Sequence, residues 1–279
     1  MSLLLLVKKK ISAVKWWIIW HYQYALVRLK NLIPLNLSPL LLDSSDKILV
    51  LAPHADDEWI GCYSILKRMS NNTTCCYMNM YGNDYSEYNI RTRTDEIKDS
   101  ARYWGFNLST IEKFEVHEIK NCIISHDVCF IPSPYDWHPE HRKAFCLFYQ
   151  AFCHLGQDEK QKIRVYYYMI SVPHSKREEM EYCKLSKKDV SLKWSMFAKI
   201  YPSQAYMPSE RYKLQLRLVP KYVGYAAQLF VKVDEKRMSN DFNSINKLEV
   251  IDVLNQSLHD ICNILKSRSI IDRIIYSIS

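Results

Sequence analysis

Pro53-His54-Ala55-Asp56-Asp57-Glu58 places one imidazole and three carboxylates in six consecutive residues. His54 and Asp57 stand three apart, a spacing that lets a ring nitrogen and a carboxylate oxygen converge on one cation across a tight strand-to-helix turn. Asp56, between them, is left to point elsewhere. A second cluster, Asp136-Trp137-His138-Pro139-Glu140-His141, carries two histidines at the same separation. It can supply a third ligand and a second functional imidazole. Two histidines and a carboxylate leave one coordination position open, as a catalytic zinc requires, and the metal lowers the pKa of a water there to about 7. A carboxylate outside the ligand set can then take the water's proton and hand it to a leaving amine. That chemistry suits hydrolysis of an unactivated amide. Each cluster also has a structural reading. A histidine near a strand end is commonly a hydrogen-bonded structural residue, and Asp56 or Asp57 is placed to cap the helix that follows.

The elements that must position these clusters follow from the apolar pattern. Lys47–Ala52 (KILVLA) is a short run rich in β-formers and predicts a strand buried on both faces of a parallel sheet. Glu58–Met69 follows with helical apolar spacing and a basic end. Thr73–Tyr81 predicts the next strand, and Ile90–Tyr103 a polar-faced helix stopped at Gly105. A strand over Asp127–Pro132, a helix over Pro139–Leu155, a strand over Ile163–Val172, a helix over Val190–Ile200 and a late strand over Tyr222–Val233 complete the reading. Strands alternating with helices predict an α/β chain folded as a three-layer α/β/α, Rossmann-like sandwich with a mostly parallel sheet. Ligands bind outside the carboxyl ends of the strands in such sheets, where both clusters fall. The catalytic domain is expected over 45–235. A helical extension covers 1–44, with a leucine-rich linker from Pro34 to Ser45, and a helical tail covers 236–279, most of it read as a helix over Ser244–Ser277.

The 279 residues are 48% hydrophobic and 24% charged, ordinary for a globular chain. The five glycines, Gly61, Gly82, Gly105, Gly156 and Gly224, form neither G-x-G-x-x-G nor a Walker loop, so a glycine-cradled phosphate site is excluded. No G-x-S-x-G nucleophile elbow occurs. The net charge of +8 is scattered apart from Lys8-Lys9-Lys10, and no nucleic-acid module is recognisable, so no nucleic-acid partner is expected. Nine cysteines without a C-x-x-C predict reduced thiols, a cytoplasmic setting and no disulfide framework. Most of the 20 Tyr and 7 Trp are expected in the core. Trp59 and Trp137 each adjoin a motif and are the two placed to stack on a sugar ring.

The N-terminus runs from Leu3 through Lys8-Lys9-Lys10 into ISAVKWWIIWHYQYALVRL. A secretory signal carries its charge before the apolar run, and Lys15, His21, Gln23 and Arg28 interrupt the stretch that a spanning helix needs. Wound as a helix, Ile11, Val14, Ile18, Tyr22, Ala25 and Leu29 share one face, with Trp16, Trp17, Trp20 and Tyr24 round the other side. Two readings stay open for residues 1–30. One is peripheral contact with the cytoplasmic face of a membrane, which tryptophan with flanking Lys and Arg favours. The other is packing on the protein body or on a second subunit.

PHADDE followed by Gly61, with His138-Pro139-Glu140-His141 downstream, resembles the PIG-L/LmbE family of zinc-dependent N-deacetylases. Members of that family remove acetyl groups from N-acetylglucosamine-containing lipids, glycosides and antibiotic precursors. Ala55 stands where the family usually has proline, and Glu140 where it usually has aspartate. Arg93-x-x-Glu96 leading to Gly105, and Lys193 followed by Tyr201-Pro202-Ser203-Gln204, extend the resemblance thinly over 47–230. The resemblance implies His54, Asp57 and His141 as ligands of zinc or another divalent ion, and Asp56 as general base. His138 would stabilise the tetrahedral oxyanion or protonate the leaving group, and Arg93 would contact substrate. On spacing alone Arg93 pairs with Glu96 on a solvated helix. Asp136 is placed to orient His138 or a ligand, or to serve as a turn residue after Pro134. Gln228 stands near where the family often has an acidic residue. The implied activity is removal of acetyl from an N-acetylated amino sugar, lipid- or nucleotide-linked. The alternatives are a same-fold amidohydrolase on another N-acyl substrate, such as a thiol-glycoside precursor, and a non-catalytic membrane-associated scaffold.

Overall fold

The computed structural model describes residues 3–29, 35–81, 86–111, 113–247 and 271–274. A long helix α1 (Leu3–Leu29) and a short strand β1 (Asn36–Pro39) precede an alternating series. That series comprises β2 (Ile48–Ala52), α2 (Asp57–Met69), β3 (Thr73–Tyr77), α3 (Glu87–Trp104), β4 (Asn107–Thr110), α4 (Val116–Ile124), β5 (Val128–Pro132), α5 (Pro139–Cys153), α6 (Gln157–Lys162) and β6 (Arg164–Tyr168). β7 (Glu179–Leu185), α7 (Lys187–Ile200), α8 (Ser209–Leu216), β8 (Ala226–Val233) and α9 (Glu235–Ile245) follow. The strands form one sheet in the order β1-β7-β8-β6-β5-β2-β3-β4. Neighbours are parallel except at β8, which runs antiparallel to β6 and β7. This is the mostly parallel three-layer α/β/α sandwich that the alternating pattern predicts.

The apolar run of β2 explains its central place. All five of its residues are buried. Leu49 and Leu51 enter one core layer with Phe145 and Phe148 of α5, while Ile48, Val50 and Ala52 enter the other with Ile65 and Leu66 of α2. Burying such a side chain contributes about 2 kcal/mol, and a strand able to do so on both faces belongs in the middle of the sheet. From β2 the chain moves outward to β3 and β4, then returns to place β5 on the opposite side of β2. The strand order reverses between β2 and β5, and loops leaving two such strands diverge to open a crevice. Ile48, Leu49 and Val50 are in register with Val128, Cys129 and Phe130. The two motif loops therefore leave the same edge of the sheet side by side.

α2 is kinked at Cys62 (φ −124°, ψ 19°). Gln228 of β8 occupies the opening: its Nε2 donates to the Ile60 carbonyl at 2.9 Å and its Oε1 accepts from Ser64 N–H at 2.5 Å. A straight helix joins those two backbone groups to each other; here one amide satisfies both. An ionised glutamate here would accept from Ser64 N–H but not donate to the Ile60 carbonyl. Gly61, beside the kink, lies against the ring of Tyr168, where any Cβ would overlap ring carbons. Tyr168 cannot swing away, because it is fully buried and its hydroxyl donates to the Leu51 carbonyl at 2.7 Å. Gly61→Ala is expected to cost about 3 kcal/mol, read as a fall in thermal midpoint of roughly 5 °C.

Lys193 of α7 is buried, and its Nζ donates to the same Ile60 carbonyl at 2.6 Å. Burial lowers its pKa from the ordinary 10.5 to about 7. Between those values the unfolded chain holds a proton that the folded chain has released, so stability rises with pH across that window. Lys193→Met removes this penalty while Gln228 still serves Ile60. The variant's melting temperature is expected to exceed the parent's most at about pH 6, with the gap closing toward about pH 10.

Several elements differ from the sequence expectation, for physical reasons. The segment read as a linker contributes β1, an edge strand paired with β7, and β4 forms the opposite edge. Both are largely solvated strands without an apolar run, so periodicity does not mark them. β7, α4, α6 and α8 were likewise not expected. The strand expected to reach Tyr81 stops at Tyr77, although Met78 and Met80 N–H still bond to the Ala52 and Pro53 carbonyls, with Asn79 at φ 50° between them. The strand expected to reach Val172 ends at Tyr168, and β8 starts at Ala226 rather than Tyr222. The helix expected over Ser244–Ser277 lies mostly outside the described residues. Within them α9 ends at Ile245, and residues 271–274 are helical, with Asp272 accepting from Ser175 Oγ and Lys176 N–H.

Candidate metal centre

His54 follows β2 by two residues, and Asp57 opens α2. His54 N–H donates to Asp57 Oδ2 at 2.8 Å, which locks the turn. Across the crevice, His141 lies in the first turn of α5, which starts at Pro139 in the position where a proline costs no hydrogen bond. His54 Nδ1, Asp57 Oδ2 and His141 Nε2 form a triangle whose three sides are each 3.2 Å. Donors about 2.0–2.1 Å from a tetrahedral ion lie about 3.3–3.4 Å apart, whereas an octahedral magnesium brings neighbouring donors to about 2.9 Å. The donor types and the 3.2 Å spacing fit a divalent metal ion held by all three residues. All three residues are buried, and they form one of the two His/Asp/Glu groups compact enough for a metal among the described residues; the other is His54, His138 and Glu140.

The electrostatics follow from this crowding. Burial would lower the His141 pKa, but the Asp57 and Asp136 carboxylates on either side hold it well above the ordinary value. Burial lowers His54, more than its contacts with Asp57 restore. Asp57 is buried too, yet the two imidazoles hold it far below the usual carboxylate range. Asp136 Oδ1 lies 3.0 Å from His141 Nδ1, a close ionic contact rather than a straight hydrogen bond. The same carboxylate accepts from His138 N–H at 3.0 Å and from Ser171 N–H at 2.9 Å. Asp136 thus holds both histidines of the second motif, one by its ring and the other by its backbone.

Asp56 stands outside the triangle. It occupies the N-cap position of α2, but its carboxylate caps nothing there. Instead Oδ2 pairs with Arg93 Nη2 at 2.8 Å. Burial pushes Asp56 up to about 7, against the pull of Arg93 and with the push of Asp57. Its backbone sits at φ 127°, ψ −19°, a region that costs a non-glycine residue about 1–3 kcal/mol. The loop is strained at the one carboxylate that faces the crevice without belonging to the triangle.

Arg93 of α3 is buried rather than solvated, as its spacing with Glu96 alone suggests. It does contact Glu96, at 3.1 Å, and it also donates to the Ala55 carbonyl and to Ser203 Oγ. Ser203 in turn donates to Glu96 through N–H at 2.8 Å and Oγ at 2.6 Å. The Tyr201-Pro202-Ser203-Gln204 turn is thereby fastened to α3. Arg93 Nε–H is buried with no acceptor among the described residues, and Arg93 lines the cleft. Glu58, the last residue of the first motif, is structural: fully buried, it accepts from Ser100 Oγ, Tyr201 Oη and Asp56 N–H.

His138 is half-exposed and faces the triangle, with its ring centroid 4.7 Å from that of His54. Its Nδ1 lies 2.6 Å from Glu140 Oε2, and this contact brings Glu140 down to about 2. That contact engages Nδ1 and leaves Nε2 as the ring's other polar atom. The role of Glu140 has no signal in residue spacing, since a carboxylate two residues from a histidine is commonplace.

His54, Asp56, Asp57, Arg93, His138 and His141 line one cleft of about 280 Å³, together with Tyr81, Gln204, Tyr206 and Tyr212. A second groove, bordered by Tyr88, Asn89, Thr92 and Ser203, joins it through Arg93, Gln204 and Tyr206. Trp59 and Trp137, expected as sugar-stacking residues, are 0% and 1% exposed and belong to the two cores. Trp59 spends its Nε1–H on the Lys193 carbonyl. Exposed aromatics are Tyr206 (77%), shared by the cleft and the second groove, and Tyr88 (78%) on the second groove. Nothing in their local sequence separates them from core tyrosines.

No family model matches the sequence, and no curated protein does. Matching solved structures include a conserved protein of Thermus thermophilus, at 19% identity and a TM-score of 0.53, covering 67% of this chain and 94% of that one. The 4-carboxy-2-hydroxymuconate hydratase of Pseudomonas putida matches at 14% identity and a TM-score of 0.51, covering 67% and 96%. A deacetylase of the teicoplanin biosynthesis pathway, solved with teicoplanin, matches at 11% identity and a TM-score of 0.49, covering 67% and 97%. At 19% and 14% identity, the first two likenesses show the fold: this chain is built on the same α/β sandwich.

Proposed function

We propose that the protein is a metal-dependent hydrolase that removes the acetyl group from an N-acetylated amino sugar. The observation that carries this reading is the equal-sided triangle of His54, Asp57 and His141 donors with a second carboxylate, Asp56, buried beside it and excluded from it. His54, Asp57 and His141 would hold a divalent ion, zinc by this reading, which would supply Lewis acidity toward an acyl oxygen and toward water. Asp56 Oδ accepts the proton of the attacking water and delivers it to the departing amine nitrogen. Arg93 keeps that carboxylate aimed into the cleft by pairing with Oδ2. His138 Nε2 faces the developing oxyanion, its other nitrogen fixed by Glu140. Asp136 holds His141 and the His138 backbone at their distances. The joined groove with exposed Tyr206 and Tyr88 favours a ring-bearing substrate, because aromatic faces pack against the apolar faces of sugars.

Two measurements on the purified full chain test the reading. Elemental analysis is expected to find one divalent ion per chain, and N-acetylglucosamine glycosides are expected to release acetate in a chelator-sensitive reaction. Acetate release from simple N-acyl amines but from no sugar would replace the substrate class. A chain that binds no divalent ion would end the proposal.

A further inference from the structure

We propose that α1 docks the protein in plane on an anionic phospholipid bilayer. Ile11, Val14, Ile18 and Tyr22 are 64%, 58%, 56% and 63% exposed, whereas Trp20 and Gln23 are buried. At 100° per residue the exposed four, with Ala25, form a stripe about 80° wide, and Trp16 and Trp20 lie about 160° from Ile18 on either side, opposite the stripe. One face of the C-terminal half packs on α8, and the Arg217 guanidinium sits over Tyr24 at 4.7 Å. Residues 10–15 are exposed all round. A contiguous apolar stripe left in water on one helix marks a contact surface.

Its flanks identify the partner. Lys15 lies about 60° to one side of Ile18, and Lys10 about 80° to the other, with Trp17, 49% exposed, next to Lys10. An apolar stripe edged by lysines and tryptophan matches the headgroup boundary: acyl chains under the stripe, anionic headgroups beside the ammonium groups. Lys8 and Lys9 precede it in the same helix. A second copy would instead bring like charges together across the stripe, in a chain already at +8. Among the described residues no helix is long and apolar enough to cross a membrane, which is what an in-plane helix requires. α8 also supplies Tyr212, with Pro208 just before it, to the cleft wall, so docking sets the cleft one helix from the lipid surface. If the deacetylase reading holds, this favours lipid-linked sugars. The docking itself does not depend on that reading.

Cosedimentation of the full chain with phosphatidylcholine vesicles containing roughly 30% phosphatidylglycerol tests it. Binding is expected, with blue-shifted tryptophan emission, and is expected to fall about tenfold on vesicles of phosphatidylcholine alone. The double variant V14D/I18D changes only exposed positions; it should melt like the parent and lose binding by about tenfold or more. Absence of binding to the anionic vesicles at low salt overturns the proposal. So does unchanged binding of the double variant, or a dimer in sedimentation equilibrium that V14D/I18D dissolves while no vesicle binding occurs.

Discussion

Asp56→Asn is expected to lower turnover about 10²- to 10⁴-fold while the chain keeps its full complement of divalent ion. The asparagine oxygen still accepts from Arg93, so the cleft wall stays in place, but the side chain no longer takes up a proton near neutrality. Acetate release measured beside metal content separates this outcome from a damaged site. Loss of activity together with loss of metal would mean that Asp56 holds the ion rather than the proton. A second expectation follows from the backbone at this residue. At φ 127° glycine is at ease and alanine is not. Asp56→Gly should therefore be more stable than Asp56→Ala by about 1 kcal/mol, the reverse of the usual order. Both should be inactive.

His141→Ala is expected to abolish activity and reduce metal affinity by several orders of magnitude, because it removes one of three donors from a site with no spare donor in the triangle. The effect should exceed that of Asp136→Asn, which leaves the ligand in place and loosens its orientation, at about 10- to 100-fold in metal affinity. Competition with a chromophoric chelator reads both. The stability of His141→Ala without metal is also informative. In the parent without metal, the Asp57 and Asp136 carboxylates on either side hold the His141 pKa well above its ordinary value. Removing His141 leaves two buried carboxylates facing each other without the imidazole, so the apo variant should melt below the apo parent. Equal metal affinity in His141→Ala and the parent would show that the ion is held elsewhere.

Much of the architecture is legible in local pattern. KILVLA reads as a two-sided buried strand because every residue is apolar, and it forms β2 in the centre of the sheet. Gly105 reads as a helix stop and ends α3 at φ 79°. β1 and β4 could not be read, because an edge strand with solvated faces needs backbone partners rather than an apolar run. Trp59 and Trp137 illustrate the opposite failure: each adjoins a motif, Trp59 in α2 and Trp137 in the loop before α5, yet both rings turn into the core.

At the site the division is sharper. Residue type and spacing were enough to single out His54, Asp57 and the His138–His141 pair, because a three-residue spacing at a strand end is a local property. Two things were decided only in three dimensions. One is the strand order, which sets β5 beside β2 and so carries His141 to within 3.2 Å of two atoms from a loop far away in the chain. The other is the set of polar partners: Arg93 on Asp56, Asp136 on His141, Gln228 in the break of α2, and Tyr206 at the rim. Periodicity records which face of an element is buried; it does not record what lies across from that face, and in this protein it is those opposing groups that set the charge, the aim and the strain of the site.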